Sequence, residues 1–479
     1  MHPSSSFLRR AERGSVLIVS LIFAAIIAIS LTSYIKMSTT ALNLSNRSFN
    51  SIAAMNLADT GLEQAVWSFN QATAGNTSAW TGWTPTGNNA TRPFSGFTLP
   101  HGATAVIKVY VQDYNSTGTP LPLIVARSII TTASGPAQEK WVEVTLRRRS
   151  LFATGLVAKD EIAFTGNTGV DSWNSDPDNN SGTAAIPYSA GVAHDKGSVG
   201  SVSVTSDVSV QNADIYGYAS VGGPSTTAIS VGPTGRVGPY GTAAGVKDPA
   251  RVASDFTASL DDVTAPTTSG YTLTAITGPI TLPRGGDSAA ADGKYYYDVP
   301  SISLSGAVAN QITVSGDVVL RVTNTTGTTV SLGGNASITL DVGANLAMYG
   351  AGDMSLAGNG VINGSGSAAT MNQPKNFQIW GTKATAALGT PQSISISGNG
   401  AFSGIIYAPF ASLSLNGGGT SGGLWGSAVA KTITVVGNQN FHYDESLANY
   451  GSNNPFGITK WRELVTAADR ATYSTKLSF

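Results

Sequence analysis

The sequence predicts an α+β protein in which a long N-terminal helix and a small antiparallel sheet precede a large all-β domain. Residues 15–35 (SVLIVSLIFAAIIAISLTSYI) form an uncharged apolar run, and residues 97–147 alternate apolar and polar side chains. From residue 151 onward, short strands recur between Gly and Asn residues. A chain of 479 residues is long enough for two to four domains at about 150 residues each.

The apolar run at 15–35 predicts a single transmembrane helix. About 20 apolar residues at a rise of 1.5 Å each cross the hydrocarbon core of a bilayer. Arg9, Arg10 and Arg13 precede the run against a single Glu12. By the positive-inside rule this excess holds the N-terminus in the cytoplasm and places the rest of the chain on the far side.

The helical pattern continues beyond the apolar run. No Pro or Gly occurs between Lys36 and Gly61, and apolar residues recur at helical spacing to about residue 70. A secretory signal is shorter and ends at a cleavage site, and a plain anchor needs no extension. Of these alternatives, an anchor that also serves as an assembly helix over residues 15–70 fits best.

The segment RRAERG at 9–14, followed directly by SVLIVSLIF, resembles the class III leader of type IV pilins and pseudopilins, in particular PilX-like minor pilins. The resemblance implies that residues 1–14 are a leader, that prepilin peptidase cleaves after Gly14, and that Ser15 is N-methylated. It also implies other pilin subunits and the pilus assembly platform as partners. Val19 stands where major pilins carry Glu, as in tip-type minor subunits.

The composition is typical of an extracytoplasmic structural protein. The chain has no cysteine, 11% charged residues and a formal net charge of −1. The absence of cysteine excludes a disulfide framework and zinc-thiolate chemistry. So few basic residues argue against a nucleic-acid partner, whose phosphate backbone requires a basic surface. No cofactor and no metal are predicted.

Residues 71–150 predict a small antiparallel β domain of the kind that pilins carry. Residues 71–96 are rich in Gly, Thr, Asn and Pro and are interpreted as a loop. Strands are then predicted at 97–113, 122–133 and 138–147. We expect this sheet to cover the outer half of the helix and to bury Ile52, Leu62 and Val66.

Residues 151–458 predict a β-helix-like domain. Eight short strand patterns begin at residues 301, 311, 330, 337, 354, 393, 412 and 431, each with two or three inward apolar residues and then a turn signal. Such units cannot bury a core alone, but they can when stacked as the rungs of a parallel β-helix. A β-sandwich is the alternative, although its strands are normally longer.

The end of this domain resembles a C-terminal domain found in some PilX-like proteins, with the pattern G-x-I-Y-A-P and a closing H-Y-D-E-x-L. The matching residues are Gly404, Ile406, Tyr407, Ala408, Pro409, Asn416, Gly417, His442, Tyr443, Asp444, Glu445 and Leu447. Residues 151–176 resemble the opening strands of the same domain, whereas residues 181–300 match no pattern and their role stays open.

His442 with Asp444 and Glu445 is a cluster that suggests chemistry, because imidazole beside carboxylates suits acid–base or metal sites. The chain has four histidines in all, and the cluster falls where the coil must close. We therefore interpret it as a structural cap. A polysaccharide lyase or hydrolase would need a close carboxylate pair, or a base beside acidic calcium ligands, and the strands supply neither.

The last segment, TKWRELVTAADRATY at 459–473, predicts a short helix with Thr459 as its N-cap. Residues 459–479 would then form a capping helix and tail. We expect this helix to pack over the final coil or against the pilin-like domain, although it could also dock a partner.

These observations favour a non-enzymatic minor pilin-like subunit of a type IV pilus or secretion pseudopilus. It would lie in the bacterial inner membrane before assembly and display its β domain near a fibre tip, for assembly initiation or for adhesion to a surface or carbohydrate ligand. The alternatives are a membrane-tethered surface adhesin that never enters a fibre and a polysaccharide-acting β-helix enzyme. Processing after Gly14 discriminates between the subunit and the tethered adhesin.

Overall fold

The chain divides into a small unit, residues 1–148 with 452–479, and a large unit, residues 149–451. The computed structural model describes residues 11–73, 75–116, 121–132, 136–148, 150–178, 180, 183–258, 260–306, 310–363, 372–384, 389–398, 402–417, 423–437, 440–451 and 455–479. For residues 11–15, 101, 398 and 417 it describes the backbone alone.

The first part of the small unit contains α1 (Ala11–Thr73), β1 (Thr84–Thr86), β2 (Asn89–Thr98), β3 (Thr104–Gln112), β4 (Leu123–Thr131) and β5 (Gln138–Arg148). The large unit contains β6 (Leu156–Ala158), β7 (Ile162–Thr165), β8 (Gly169–Trp173), β9 (Gly197–Ser201), β10 (Val208–Gln211), β11 (Asp214–Val221), β12 (Ile229–Val231), β13 (Arg236–Gly238), β14 (Val252–Ala253), β15 (Tyr271–Thr272), β16 (Ile280–Leu282), β17 (Tyr295–Val299), β18 (Ile302–Leu304), β19 (Gln311–Val314), β20 (Asp317–Val322), β21 (Thr328–Leu332), β22 (Ser337–Leu340), β23 (Asn345–Gly350), β24 (Asp353–Leu356), β25 (Gly360–Asn363), β26 (Phe377–Gly381), β27 (Gln392–Gly398), β28 (Phe402–Gly417), β29 (Leu424–Gly437) and β30 (Phe441–Asp444). The chain returns to the small unit with β31 (Phe456–Glu463) and α2 (Ala467–Ser474).

The predicted long N-terminal helix is confirmed, since α1 is continuous over 63 residues. At 1.5 Å per residue it is about 95 Å long. Its large apolar side chains from Val16 to Ile52 are exposed, and a buried stripe of small and apolar residues follows at spacings of three and four. That stripe consists of Ala54, Ala58, Leu62, Ala65 and Phe69.

One expected contact of this helix is wrong. Leu62 is buried and Val66 is half-buried, but Ile52 is 62% exposed. The buried stripe begins at Ala54, and at about 100° per residue Ile52 points to the opposite side of the helix. The apolar spacing therefore gave the helix correctly but placed the start of its packed face too early.

The small sheet has six strands in the order β1-β2-β3-β4-β5-β31, and every neighbouring pair is antiparallel. The predicted strands at 122–133 and 138–147 correspond to β4 and β5. The predicted loop at 71–96 instead contains β1 and most of β2, and the single strand expected at 97–113 is broken by a short turn at Pro100–Gly102. The β1–β2 hairpin is largely exposed, so it needs few apolar residues and its polar composition resembles that of a loop.

The prediction of a helix over 459–473 is wrong in its first half. Residues 456–463 form β31, which pairs with β5, and α2 begins after the N-cap Thr466, not Thr459. The edge of β5 offers these residues backbone partners and complementary charges, because Lys140 pairs with Glu463 at 2.6 Å. Residues 452–458 accordingly belong to the small unit and not to the β domain predicted over 151–458.

The large unit is all-β, as predicted, and every strand pairing in its sheet is parallel. All eight strand patterns of the sequence lie in strands. From β16 to β25 each strand pairs with the strand three positions later, which gives three parallel ladders. Each ladder stacks equivalent side chains directly above one another.

The order of the strands in this stack differs from their order in the chain. The last strands, β29 and β30, pair with the first ones, since β29 contacts β6 and β7 and β30 contacts β8. An inner column of buried side chains runs without interruption through this junction. It consists of Tyr297, Leu320, Met348, Ile379, Ile406, Ala428 and Leu156.

Because β14 lies at one end of the stack and β15 at the other, residues 254–270 must travel back along it. We call this segment the strap. The Tyr407 hydroxyl donates to the carbonyl of Asp261 at 3.0 Å. Arg321 donates to two further strap carbonyls at 2.7 and 2.6 Å. These bonds fasten the strap to an outward-facing column of the ladder.

Candidate functional site

The predicted processing position lies at the start of α1. The backbone of Gly14 and Ser15 is helical, whereas residues 1–10 of the predicted leader lie outside the described residues. Val19, at the position where the predicted resemblance to pilins would place Glu, is 50% exposed. In the described part of the chain α1 alone is long and apolar enough to cross a membrane, and no residue of its most apolar window is buried. This helix fits membrane association.

The second candidate site is an outward-facing column of the large unit that contains the signature residue His442. Ser403, Trp425, His442 and Asp171 occupy equivalent positions on β28, β29, β30 and β8. Neighbouring parallel strands are about 4.8 Å apart, so these side chains lie close to one another. Residues 174–196 link β8 to β9, and the described residues of this segment fold back over the column.

His442 is held between two aromatic rings. The Tyr188 ring stacks on it with a centroid distance of 3.7 Å, and the Trp425 ring lies 5.7 Å away. Its Nδ1 atom is 2.5 Å from Asp171 Oδ1, and the Tyr188 hydroxyl donates to Asp171 Oδ2 at 2.7 Å. Burial, and secondarily the bond to Asp171, raises the pKa of Tyr188, which therefore stays a neutral donor. Both oxygens of Asp171 are thus occupied.

Glu445 accepts three hydrogen bonds from residues of β8 and the segment after it. The donors are Ser172 Oγ at 2.9 Å, His194 Nδ1 at 2.7 Å and Lys196 Nζ at 2.9 Å. Burial acts to raise the pKa of Glu445, but the bonds from Lys196, His194 and Ser172 outweigh it and lower the pKa. The carboxylate is therefore ionised near neutral pH and binds the end of the 174–196 segment.

Asp444 is fully buried and fastens the beginning of the same segment. Its Oδ1 atom accepts from the backbone N–H groups of Ser175 and Ser446, each at 3.0 Å. Its Oδ2 atom accepts from the Ser175 hydroxyl at 2.6 Å. Burial raises the pKa of Asp444 and these hydrogen bonds oppose the shift.

The carboxylates of Asp171, Asp444 and Glu445 all accept hydrogen bonds from groups of the same unit. Among the described residues no group of three or more His, Cys, Asp and Glu side chains is arranged to hold a metal ion. The geometry instead ties residues 174–196 to the turn that follows β30. These hydrogen bonds fix a loop over the column formed by Ser403, Trp425 and His442.

The remaining signature residues also make internal contacts. Tyr443 is 4% exposed, and its hydroxyl donates to the carbonyl of Phe152 at 3.1 Å. Pro409 lies in β28 where the pairing register with β29 shifts, and a residue without an N–H group suits such an interruption. Tyr407 binds the strap. The signature therefore joins the end of the large unit to its beginning and to the strap.

A cavity of about 320 Å³ lies between residues 185–188 and the column. Trp173, Tyr188 and Trp425 contribute aromatic walls, and Asn363 and Ser403 contribute polar side chains. The column positions Trp425 and Ser403, and the bonds of Asp444 and Glu445 hold the covering segment. The hydrogen bonds of the signature residues therefore also form the cavity, because they hold the covering segment above the column.

Residues 247–450 match a family model described as a domain of unknown function (DUF7305). The match includes the strap and the whole stack from β15 to β30, and it leaves β6 to β13 outside. The signature residues from Tyr407 to Glu445 lie within it. No curated protein and no solved structure matches the chain.

Sequence reasoning found His442, Asp444 and Glu445 but missed their partners. Tyr188, His194 and Lys196 lie about 250 residues earlier, in a stretch that matches no pattern. Parallel ladders join residues that are remote in the chain, so no local spacing identifies such pairs. The one available signal was the pair of opening and closing strand patterns that both resemble the same domain.

Proposed function

We propose that the protein is a minor pilin-like structural subunit of a type IV pilus or pseudopilus. The observation that carries the proposal is the division of α1 into two halves. Its first half exposes apolar side chains on all sides, and its second half packs on a small antiparallel sheet. A soluble chain would not leave so long an apolar surface in water, because each buried CH₂ group gains about 0.8 kcal/mol.

Two environments in turn would cover the exposed half of α1. Before assembly it lies in the inner membrane, with the N-terminus in the cytoplasm and the rest outside, as the basic residues 9–13 favour. After prepilin peptidase cleaves behind Gly14 and Ser15 is methylated, the same surface packs against the helices of other subunits. Val19 brings no carboxylate into that packing, which supports a place at or near the tip.

In this proposal the large unit is a parallel β-helix displayed by the fibre. Its support is the three-strand repeat, in which β16, β19, β22 and β25 stack in one ladder with parallel register. Stacked buried residues such as Ile312, Ile338 and Val361 would form the core of successive coils. The displayed unit serves assembly initiation or adhesion.

The test determines the residue at which the mature protein begins. Protein from membranes of the native host would be examined by intact mass and N-terminal sequencing, beside a Gly14→Ala variant. We expect the wild-type chain to begin at methylated Ser15 and the variant to retain its leader. Gly278→Ala is the matched control, because a Cβ at Gly278 meets no atom within 4 Å and should leave processing intact.

An uncut Met1 start in all three proteins would refute the proposal. The chain would then be a membrane-tethered surface protein, either an adhesin or a polysaccharide-acting enzyme, whose ligand or activity must be sought directly. Cleavage at another position, with loss of the helix 15–35 from the mature chain, would indicate a secretory signal and would also refute it.

A further inference from the structure

We infer that the strap is a latch that keeps the first strands of the large unit closed on the last ones. The two sets of strands meet where β29 pairs with β6 and β7 and where β30 pairs with β8, and we call this place the junction. Strands β6 to β14 lie on one side of the junction and β15 to β30 lie on the other. This inference does not depend on the proposed function, because all of its residues lie in the large unit.

The strap crosses the junction along one column of paired residues. The column starts at Val252, shortly before the strap, and ends at Tyr271, directly after it. It spans ten strand spacings of about 4.8 Å, or about 48 Å in all. The residues between its ends are Ala219, Val199, Leu156, Ala428, Ile406, Ile379, Met348, Leu320 and Tyr297. The junction lies in the interior of this column, between Leu156 and Ala428.

The first anchor of the strap lies on the side of β6 to β14. The backbone N–H of Phe256 donates to the carbonyl of Val221 in β11 at 3.0 Å, and that of Asp255 donates to the carbonyl of Gly223 at 3.1 Å. The Phe256 ring lies so close to Gly200 of β9 that a Cβ atom there would come within 2.8 Å of the ring. Gly200 therefore leaves the space that this ring occupies.

The second anchor lies on the side of β15 to β30. The Tyr407 hydroxyl of β28 donates to the carbonyl of Asp261 at 3.0 Å. Arg321 of β20 donates to two further strap carbonyls at 2.7 and 2.6 Å, and Asp298 accepts two hydrogen bonds from the same guanidinium at 2.7 and 2.9 Å. The strap is therefore held on both sides of the junction.

Between Phe256 and Asp261 the strap crosses the junction with little slack. Strands β11 and β28, which bind these two residues, are four strand spacings apart, or about 19 Å. Five residues of extended chain reach about 16–18 Å. The segment therefore runs close to full extension, and the Tyr407 side chain covers the remaining distance.

Opening of the junction requires that one of these anchors is lost. Separation of β29 from β6 by one further strand spacing adds about 4.8 Å to a path that is already extended. The hydrogen bond from Tyr407 to Asp261 joins two neutral groups, whereas those from Arg321 have a charged donor and are the stronger ones. We therefore expect the bond from Tyr407 to break first, so that release of the strap and opening of the junction are one event.

The experiment measures hydrogen exchange by mass spectrometry in the full-length chain, on peptides of β6 to β8 and of β29 and β30. Insertion of Gly-Ser-Gly-Ser between the exposed residues Thr257 and Ala258 adds about 13 Å of chain and leaves both anchors in place. We expect exchange at the junction to become about two- to tenfold faster, which is the effect of one neutral hydrogen bond.

Tyr407→Phe removes the same hydrogen bond and keeps the ring, so it should accelerate exchange at the junction by the same factor. The insertion and Tyr407→Phe together should have no more effect than either change alone. The reason is that the longer strap already lets the junction open while the bond from Tyr407 stays intact.

Each change has a matched control. The same four residues placed between Thr325 and Thr326, in the exposed turn between β20 and β21, should leave exchange at the junction unchanged. Tyr349→Phe should also leave it unchanged, because Tyr349 belongs to the same ladder and its hydroxyl makes no hydrogen bond among the described residues.

Exchange at the wild-type rate in the insertion variant would overturn the inference. Additive effects of the insertion and Tyr407→Phe would overturn it as well, because the two changes would then act independently. Equal acceleration in β20 and β23 would indicate a general loss of stability and is a third refuting result. If the insertion variant does not fold, the tyrosine variants decide: equal exchange at the junction in Tyr407→Phe and Tyr349→Phe overturns the inference, and faster exchange in Tyr407→Phe alone supports it.

Discussion

Asp444 allows a sharp test of whether the signature carboxylates act as structural ties or as a reactive site. Asp444→Ala removes the acceptor for the N–H groups of Ser175 and Ser446, both of which lie at 3.0 Å. The Ser175 hydroxyl keeps an alternative partner, since Ser446 Oγ is 3.1 Å away. Two lost bonds to a charged group, at about 1.5–3 kcal/mol each, predict a local destabilisation of about 3–6 kcal/mol.

Asp444→Asn should behave differently. The amide oxygen can accept both N–H groups, and the amide nitrogen can donate to the Ser175 hydroxyl, which then donates to Ser446. The variant also removes a buried charge. We therefore expect a change within about 1 kcal/mol. Hydrogen exchange measured by mass spectrometry on peptides covering 172–196 and 441–449 of the full-length chain would report both variants.

The pH dependence of these variants follows from the same burial. Because burial raises the pKa of Asp444, the folded chain holds this proton more tightly than the unfolded chain does. Protonated Asp444 therefore stabilises the folded chain at low pH. This stabilisation is lost as the pH rises from 3.8, the ordinary pKa of Asp, through the raised pKa of Asp444. The Asn side chain of Asp444→Asn does not titrate. The stability of this variant relative to wild type should therefore improve as the pH rises through that range.

The matched controls are Asp341→Ala and Asp341→Asn, because Asp341 is exposed and its substitutions should leave these peptides unaffected. If Asp444→Asn were as damaging as Asp444→Ala, the charge itself would be required. The carboxylate would then serve a cation or a reaction, and the structural interpretation of the signature would be refuted.

Two further predictions concern the small sheet and the strap. Arg462→Ala leaves the buried Glu143 with fewer donors and should destabilise the β5–β31 pair by about 1–3 kcal/mol. The hydrogen bond from Arg462 lowers the pKa of Glu143, so the wild-type advantage should vanish as the pH falls below 4.5 and through the lowered pKa. Tyr407→Phe removes the bond to Asp261 and should raise hydrogen exchange in residues 254–270 by the equivalent of about 0.5–1.5 kcal/mol.

Each of these has a matched control on α1. Arg47→Ala removes an exposed arginine and should leave exchange in β5 and β31 unchanged, and Tyr34→Phe should leave the strap unchanged. If hydrogen exchange in β5 is as slow in Arg462→Ala as in wild type, the ion pair between Arg462 and Glu143 does not stabilise the β5–β31 pair. A strap that exchanges equally fast in both tyrosine variants would show that other contacts hold it.

The N-terminal helix and the all-β character of the large unit could be predicted because both depend on local patterns. Residues 15–35 have no alternative to a helix in an apolar environment, and period-two repeats such as SISIS at 393–397 permit few structures other than strands. The helix predicted at 459–473 failed because Leu464 and Val465 fit a helical spacing as well as a strand end. The charges of Arg462 and Glu463, which match Glu143 and Lys140 of β5, were the better signal.

The candidate site could be predicted in part. His442, Asp444 and Glu445 were identifiable as a cluster, but their roles depend on a strand order that the sequence does not display. Parallel rungs of similar composition can stack in many orders, and local periodicity does not distinguish them. The cavity could not be predicted at all, because Asn363 and Trp173 come together only when the first strands follow the last.

The position of the large unit in the chain has a consequence for how such a protein can change. Phe456 pairs directly with Arg148, so β5 and β31 form a hairpin whose loop is the whole of residues 149–455. The ends of that loop are already held together by the small sheet. The loop can therefore be lengthened, shortened or exchanged for another fold without altering α1 or the small sheet that packs on it.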